Sequence, residues 1–318
     1  MKRFESRKVS SFFLILLLIL PLLGGCTQVS QEQREPSDIT PLLWRVTSPE
    51  GQTIYLFGSI HFGTEDMYPM PTAIMDAFHS SDYLAVESNI REVNVHDNRH
   101  TMTLLLYGDE KTIVDEIGEE LYQRAREVLV ENGMEPWLEQ DAIYPGRRLE
   151  DFRPALWIDL LGPEVSEVSN ELGIDWYLMG EAERHRMEIL EIESRIEELE
   201  VQINFSLPLQ IWLLEEALDV DRTVQEWQVI LDAWKQGDSQ ALEQNRLAML
   251  DRMPEDIREE WAYQTFTRRG LRMVEVAEHY LSEGMNVFFV VGSYHVESEG
   301  GVVDSLRERG HTVEQILW

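Results

Sequence analysis

A four-residue phrase, Gly-Ser-x-His, occurs at 58–61 and again at 292–295, near the two ends of the chain. Each copy follows an apolar run, at 53–57 and at 286–291, that predicts a buried strand. A strand ending in this phrase places an imidazole at the carboxyl edge of a sheet, where α/β proteins hold their ligands. The repeat therefore predicts an α/β fold in which both ends of the chain build one site.

The four residues that define the repeat are Gly58, His61, Gly292 and His295. A glycine before the histidine lets the backbone bend sharply or approach a ligand closely. Neutral imidazole is a common ligand of divalent transition metals. One histidine beside a strand is more often structural than a ligand, but the repetition favours a functional site.

The segments around the two copies follow the same order of elements. The first predicts a helix at 71–80 and a strand at 83–87, and the second a helix at 301–309 and a strand at 312–317. Because parallel strands need helical crossovers, the pattern predicts a mixed α/β sheet. We expect two diverged strand-GxxH-helix-strand halves with a helical insertion between them.

The middle of the chain is predominantly helical in pattern. Apolar residues recur at helical spacing within 119–132, 155–161, 191–220 and 222–250. Two short stretches, 173–178 and 187–191, predict a return to the sheet. The tryptophans of the helical stretches are interpreted as packing residues.

The amino end has the pattern of a bacterial lipoprotein signal. Basic residues precede an apolar stretch at 10–23 that is short for a membrane span, and a lipobox closes at Cys26. We expect a signal peptide at 1–25, a flexible linker at 26–40 and one large domain at 41–318. Lipidation of Cys26 would tether an extracytoplasmic protein to a bacterial membrane. The alternative is a plain signal peptide with an incidental cysteine.

The balance of charge excludes several partners. The chain carries 27 Lys and Arg against 59 Asp and Glu, a net charge of −32. Such a surface repels nucleic acid and anionic lipid, so no nucleic-acid partner is expected. A solvated acidic surface is preferred over a specific cation-binding one.

Since Cys26 is the single cysteine, a disulfide or a Cys-rich zinc site within the chain is excluded.

Carboxylates at the ends of predicted strands complete the candidate site. Glu87 ends the run 83–86, and Glu191 ends the run 187–190. A carboxylate there can ligate a metal or act as a general base that activates water. For Glu191 the alternative is a favourable charge at a helix N-terminus. Asp175 is either a ligand or a helix cap, and capping is the commoner role.

With these residues assembled, the chain resembles the TraB/PrgY/GumN family, which is related to the Tiki metalloproteases. The similarity covers roughly residues 42 to 317. The blocks that carry it are 55–63 with Tyr68 and Pro69, Glu87, 173–175, 190–191, and the second Gly-x-x-His block within 291–301. Family members often carry an Arg-Asn pair on the helix before the last strand. Here Arg269 can take the arginine's place, and Gly270 replaces the asparagine.

The resemblance implies an EreA/ChaN-like fold and a divalent-metal-dependent hydrolase acting on a peptide or another small envelope substrate. His61, His295 and Glu87 would bind manganese, cobalt or zinc. The remaining carboxylate, Glu191 or Glu87, would activate water, and Arg269 would stabilise negative charge in the transition state.

Three rival functions stay open on the sequence alone. A metal- or haem-binding envelope lipoprotein needs the two histidines but no free carboxylate base. An accessory protein of polysaccharide export or conjugation is indifferent to the loss of His61. An esterase without a metal retains its activity in the presence of a chelator.

Overall fold

The computed structural model describes residues 36–92, 95–108, 110–139, 141–162 and 168–318. The expected signal peptide, Cys26 and most of the expected linker lie outside these residues. Within the described ranges, none of the helices combines the length and the apolar character needed to cross a membrane.

Six strands of the described chain form one mixed sheet in the order β4-β3-β5-β2-β1-β6. The strands are β1 (Leu43–Thr47), β2 (Thr53–Ser59), β3 (Tyr83–Val86), β4 (Glu188–Glu191), β5 (Val287–Gly292) and β6 (Thr312–Ile316). Strands β4, β3, β5 and β2 run parallel to one another. Strand β1 is antiparallel to both of its neighbours, β2 and β6. The predicted mixed α/β sheet is therefore confirmed.

Helices connect the strands and fill the middle of the chain. They are α1 (Thr72–His79), α2 (Val95–Leu105), α3 (Val114–Glu131), α4 (Pro154–Leu161), α5 (Ile174–His185), α6 (Arg195–Ile203), α7 (Leu207–Ala217), α8 (Val220–Gln236), α9 (Ser239–Arg252), α10 (Glu255–Ala262), α11 (Arg268–Ser282), α12 (Ser293–Glu297) and α13 (Val302–Glu308). A π-helical turn, Tyr263–Thr267, joins α10 to α11. The predicted helical insertion thus corresponds to helices between β3 and β5, interrupted by β4.

Alternation along the strands divides the core between the two faces of the sheet. Phe288 and Val290 of β5 pack on one face, against α1, α5 and α8. Phe289 and Val291 pack on the other, against α11 and α13. Because both faces are covered, β5 is apolar at successive positions, as expected for a buried parallel strand. This burial explains why the run was recognisable in the sequence.

The expected strand at 173–178 is wrong, because α5 begins at Ile174 and continues to His185. The buried apolar residues of this stretch are Ile174, Leu178, Met179 and Ala182. Their spacing of about four residues marks one face of a helix. The neighbouring stretch does enter the sheet, as β4.

The two Gly-Ser-x-His segments do not take equivalent places in the sheet. In the first, β2 leads through α1 to β3, and one strand, β5, lies between them. In the second, β5 leads through α12 and α13 to β6, and two strands, β2 and β1, lie between them. The EreA/ChaN-like arrangement of matching halves therefore stays a prediction.

The register of the sheet brings three strand ends together. Ser59, the last residue of β2, lies opposite Gly292, the last residue of β5. On the other side of β5, Val86 of β3 lies opposite Val290. The residues that follow β2, β3 and β5 consequently emerge at the same carboxyl edge.

Candidate functional site

Three predicted site residues meet around Gly292 at this edge. A Cβ atom on Gly292 would lie 3.3 Å from Glu87 Oε1, 3.8 Å from His61 Nε2 and 3.8 Å from His295 Cδ2. The absence of a side chain at Gly292 leaves the space on which the three groups converge. The structure therefore brings together residues more than 230 positions apart, His61 and His295, with Glu87 between them.

Asp175 fixes the orientation of His61. Its Oδ2 lies 2.9 Å from His61 Nδ1, and its Oδ1 accepts a hydrogen bond of 2.9 Å from Ser59 Oγ. The Asp175 carboxylate raises the pKa of His61 to about 10. With Nδ1 engaged, Nε2 remains on the side of Gly292, and 60% of the His61 side chain is open to the adjoining cleft. Asp175 thus holds a histidine and makes no helix-capping bond.

Glu87 is ionised and held by Arg269. Arg269 Nη2 donates to Glu87 Oε2 at 2.5 Å, and the Gly292 N–H donates to Glu87 Oε1 at 2.6 Å. Burial alone would raise the pKa of Glu87, but Arg269 and the two histidines lower it to about 2. In this arrangement Glu87 is a carboxylate whose two oxygens both have hydrogen-bond donors.

Glu193 shares Arg269 with Glu87. Arg269 Nε donates to Glu193 Oε1 at 2.8 Å, and Nη2 also contacts that oxygen. The three side chains are at most 13% exposed. Burial raises the pKa of Glu193. The arginine therefore bridges two buried carboxylates that would otherwise repel one another.

His295 is buried and neutral. It belongs to the short helix α12, is 8% exposed, and its ring lies 5.3 Å from the ring of Phe266. Burial lowers the pKa of His295 to about 4. Its Nε2 lies 3.4 Å from Arg269 Nη1, and its buried Nδ1 has no hydrogen-bond partner among the described residues. An imidazole in this state has a lone pair at one nitrogen.

Glu191 is not part of this cluster. Its side chain is exposed, and its Oε1 accepts a hydrogen bond of 2.7 Å from the Asn89 N–H. Beyond β4 the chain continues beside β3, where the Glu193 N–H donates to the Glu87 carbonyl at 3.0 Å. That path delivers Glu193 to Arg269. Sequence reasoning missed Glu193, because nothing in a segment with acids at 188, 191 and 193 distinguishes the one that turns inward.

His61, His295 and Glu87 are residue types that bind divalent metals. The Asp175 carboxylate on His61 Nδ1 is the usual support of a metal-binding histidine. Because that carboxylate raises the pKa of His61 to about 10, the ring without an ion is also protonated on Nε2, and a bound ion would displace that proton. His295 is neutral and incompletely paired, and the space over Gly292 lies between both rings and Glu87. Across the described ranges, no group of three or more His, Cys, Asp or Glu side chains has an arrangement that could hold a metal ion. Arg269 and Gly292 occupy the oxygens of Glu87 in this arrangement.

A cleft of about 350 Å³ opens beside the cluster. His61, Glu87 and Asp175 form part of its wall. Asp159 and Glu198 also face it, and burial together with the Glu198 charge raises the pKa of Asp159 to about 6. The His61 end of the cluster is therefore accessible to a ligand of appreciable size.

Comparison with known proteins gives relatives but no described activity. An uncharacterised protein of Treponema pallidum is 27% identical over 144 residues, which cover 42% of this chain and 43% of that protein. The uncharacterised protein YbaP of Escherichia coli K12 is 25% identical over 149 residues, 47% of this chain and 51% of its own length. The matched part is thus about half the length of these relatives. No solved structure matches the chain.

The family model of TraB, PrgY and gumN matches residues 42–315. The match includes all six strands but the last residue of β6, and every member of the cluster around Gly292. On the extent of this match, the chain belongs to the TraB/PrgY/gumN family.

Proposed function

We propose that the chain is a divalent-metal-dependent hydrolase with its site at His61, Glu87, His295 and Arg269. The observation that supports it most is the convergence of two imidazoles and a carboxylate on the space over Gly292. Peptides are the proposed substrate class because the family is related to the Tiki metalloproteases. Glu193 takes the place of the exposed Glu191 as the second carboxylate of the site.

His61, His295 and Glu87 are the residues that would hold the ion, with manganese, cobalt or zinc as candidates. When bound, such an ion supplies Lewis-acid polarisation of the scissile carbonyl. Asp175 keeps the Nδ1 proton on His61, so Nε2 is the nitrogen that would bind the ion once its own proton is released. Burial keeps His295 neutral, which is the form that donates a lone pair.

Arg269 is the group for negative charge that develops on the substrate. Two carboxylates raise its pKa further, so it remains protonated, and its bonds to Glu193 fix its direction. A fixed cation of this kind stabilises an oxyanion without reorganisation during the reaction. Glu193, whose pKa is raised by burial, is the better proton acceptor, whereas Glu87 is too acidic to serve as the base.

One observation favours a second function, the binding of a metal or haem without catalysis. Both oxygens of Glu87 are occupied by Arg269 and Gly292, so Glu87 is not a free base beside the two histidines. A binding protein needs only the imidazoles. The two functions differ in turnover and not in metal content.

Lipid attachment at Cys26 and an extracytoplasmic, membrane-anchored location form part of the proposal. They are supported by the signal pattern and lipobox of the first 26 residues. Replacement of Cys26 by serine in the full chain should move the protein from the membrane fraction to the soluble one. Retention in the membrane fraction would contradict the lipid anchor.

The activity is tested with the full chain and a library of fluorogenic peptides, before and after treatment with a chelator. Hydrolysis should be lost on chelation and return when manganese, cobalt or zinc is added back singly. His61→Ala and His295→Ala should abolish it, whereas the matched control His279→Ala, an exposed histidine on α11, should retain it. Activity that survives chelation and both site substitutions would contradict the proposal. Stoichiometric metal without turnover would assign the binding function instead.

A further inference from the structure

Two cavities adjoin the ion pair between Glu87 and Arg269. The larger, of about 350 Å³, has Glu87 in its wall. The smaller, of about 220 Å³, has Arg269 in its wall. Since Arg269 Nη2 is 2.5 Å from Glu87 Oε2, the two cavities approach each other at the candidate site. The residues that border both are Asp159, Glu198 and Gln202.

Both cavities have predominantly apolar walls. The apolar side chains around the larger include Met102, Leu105, Trp137, Ile143, Leu156 and Leu160. Those around the smaller include Ile158, Val201, Phe205, Leu213 and Trp261. Apolar walls with a few polar groups are typical of sites that recognise apolar groups of a ligand. The larger cavity reaches the size of ordinary ligand sites, about 300 Å³ or more, and the smaller is suited to a single side chain.

We propose that the two cavities bind apolar side chains on opposite sides of the scissile bond of an extended peptide. The inference rests on the proposed hydrolase function and adds its specificity. An enzyme that acts at a chain end has room on one side of the bond and a group that recognises the terminal charge. Here one cavity adjoins Glu87, a second adjoins Arg269, and the two share part of their walls. The protein therefore cleaves within chains, at pairs of apolar residues.

The charges at the border of the cavities act against acidic substrates. Asp159 and Glu198 belong to the walls of both cavities, and Glu198 Oε2 accepts a hydrogen bond of 2.9 Å from Ser88 Oγ. An acidic side chain entering either cavity would meet both carboxylates in a partly desolvated setting, and these outnumber the single arginine of each wall, Arg195 in the larger cavity and Arg269 in the smaller. Peptides with aspartate or glutamate beside the scissile bond should bind weakly.

The inference is tested by equilibrium binding, which does not require catalysis. The full chain, kept in chelator, is titrated calorimetrically with capped peptides: Gly-Leu-Leu-Gly, Gly-Leu-Gly-Gly, Gly-Gly-Leu-Gly, Gly-Gly-Gly-Gly and Gly-Asp-Asp-Gly. Each leucine should tighten binding about tenfold, because it buries an apolar side chain. Gly-Leu-Leu-Gly should bind tightest, and Gly-Asp-Asp-Gly should bind weakest. Equal affinity across the series, or a gain from only one leucine position, would overturn the inference.

Two substitutions test the contributions of the two cavities one at a time. Leu199→Trp narrows the larger and Leu213→Trp the smaller, both at half-buried leucines. One substitution should abolish the gain in affinity of Gly-Leu-Gly-Gly over Gly-Gly-Gly-Gly. The other should abolish the gain in affinity of Gly-Gly-Leu-Gly. The matched control is Leu247→Trp, at a leucine that is 45% exposed on α9 and should change neither affinity. If a tryptophan variant fails to fold by circular dichroism, alanine at the same position should weaken the same peptide.

The outcomes distinguish this inference from the proposed function. Peptide binding with the predicted double preference but no hydrolysis under any metal would contradict the hydrolase and leave the two-cavity recognition standing. Metal-dependent cleavage without preference for apolar residues would support the hydrolase and contradict the two-cavity recognition. Equal effects of the Leu199, Leu213 and Leu247 variants on all peptides would overturn the assignment of the cavities.

Discussion

The charges of the candidate site depend on two residues, Asp175 and Arg269. Asp175 keeps His61 protonated on Nδ1, and Arg269 keeps Glu87 ionised. His295 has no carboxylate partner and is neutral. Two histidines of similar sequence context thus differ in charge, His61 being cationic and His295 neutral, because of what packs against them.

Asp175→Asn should lower the pKa of His61 from about 10 towards its ordinary value near 6.5, since the carboxylate is the main cause of the raised pKa. NMR titration of the imidazole in metal-free protein measures this directly. Because the folded pKa is raised, the pair stabilises the fold below about pH 6.5, and this contribution is lost as the pH rises through 10. The variant should show a shallower loss of stability over that interval. An unchanged His61 pKa would show that Asp175 does not act on the ring.

Arg269→Ala should destabilise the fold by about 3–5 kcal/mol, because it leaves two buried carboxylates without their cation. The control is Arg268→Ala, one position earlier, at an exposed arginine that hydrogen-bonds only Gln264 in the described structure. That change should cost less than about 0.5 kcal/mol. Denaturant unfolding compares the two. Equal costs would contradict a structural ion-pair network at Arg269.

At the residue scale, the sequence predicted those side chains that directly follow recognisable strands. His61, His295 and Glu87 were found because Gly-Ser-x-His and a terminal glutamate mark where β2, β5 and β3 end. Glu193 could not be found, since its position depends on the path of the chain after β4. The pairing of Asp175 with His61 required knowing that α5 packs beside β2, which no local pattern reveals.

At the scale of elements, the contact between α5 and the loop after β2 positions His61. The Ile174 N–H at the start of α5 donates to the Ile60 carbonyl at 2.9 Å. Gly173 makes the close approach possible: a Cβ there would lie 2.4 Å from the His61 carbonyl oxygen, closer than real contacts allow. Its backbone is ordinary extended chain, so the requirement for glycine is steric.

Gly173→Ala should therefore destabilise the protein by about 1–3 kcal/mol, as overpacking does, and displace His61 from Asp175. The matched control is Gly270→Ala on α11, where a Cβ meets nothing within 4 Å. Because alanine favours a helix interior, that change should stabilise by up to about 1 kcal/mol. Thermal unfolding of both variants checks the prediction. A harmless Gly173→Ala would contradict the close packing of α5 on the His61 loop.

Elements were predictable where one periodicity dominated. The parallel strands were recognised because burial on both faces makes them continuously apolar. The stretch at 173–178 was misread because six residues are too few to separate a strand from one face of a helix. The order of the strands could not be predicted, since it depends on which crossovers pack together and not on any single segment.

For the whole molecule, the dominant property is the net charge of −32. Mutual repulsion of like charges weakens the compact state, and salt screens that repulsion. Raising sodium chloride from about 0.01 M to about 0.15 M should therefore raise the melting temperature, as followed by circular dichroism. A melting temperature that falls over this range would show that ion pairs, and not overall repulsion, dominate the electrostatic contribution to stability.

In the proposed function, the two ends of the chain build one metal site. Calorimetric metal titration of the wild type, His61→Ala, His295→Ala and the double variant tests it most directly, because coupled ligands give non-additive losses. We predict one tight ion per wild-type chain and nearly the same loss of affinity in each single variant as in the double. Full retention of binding in either single variant, or losses that simply add, would contradict a shared site.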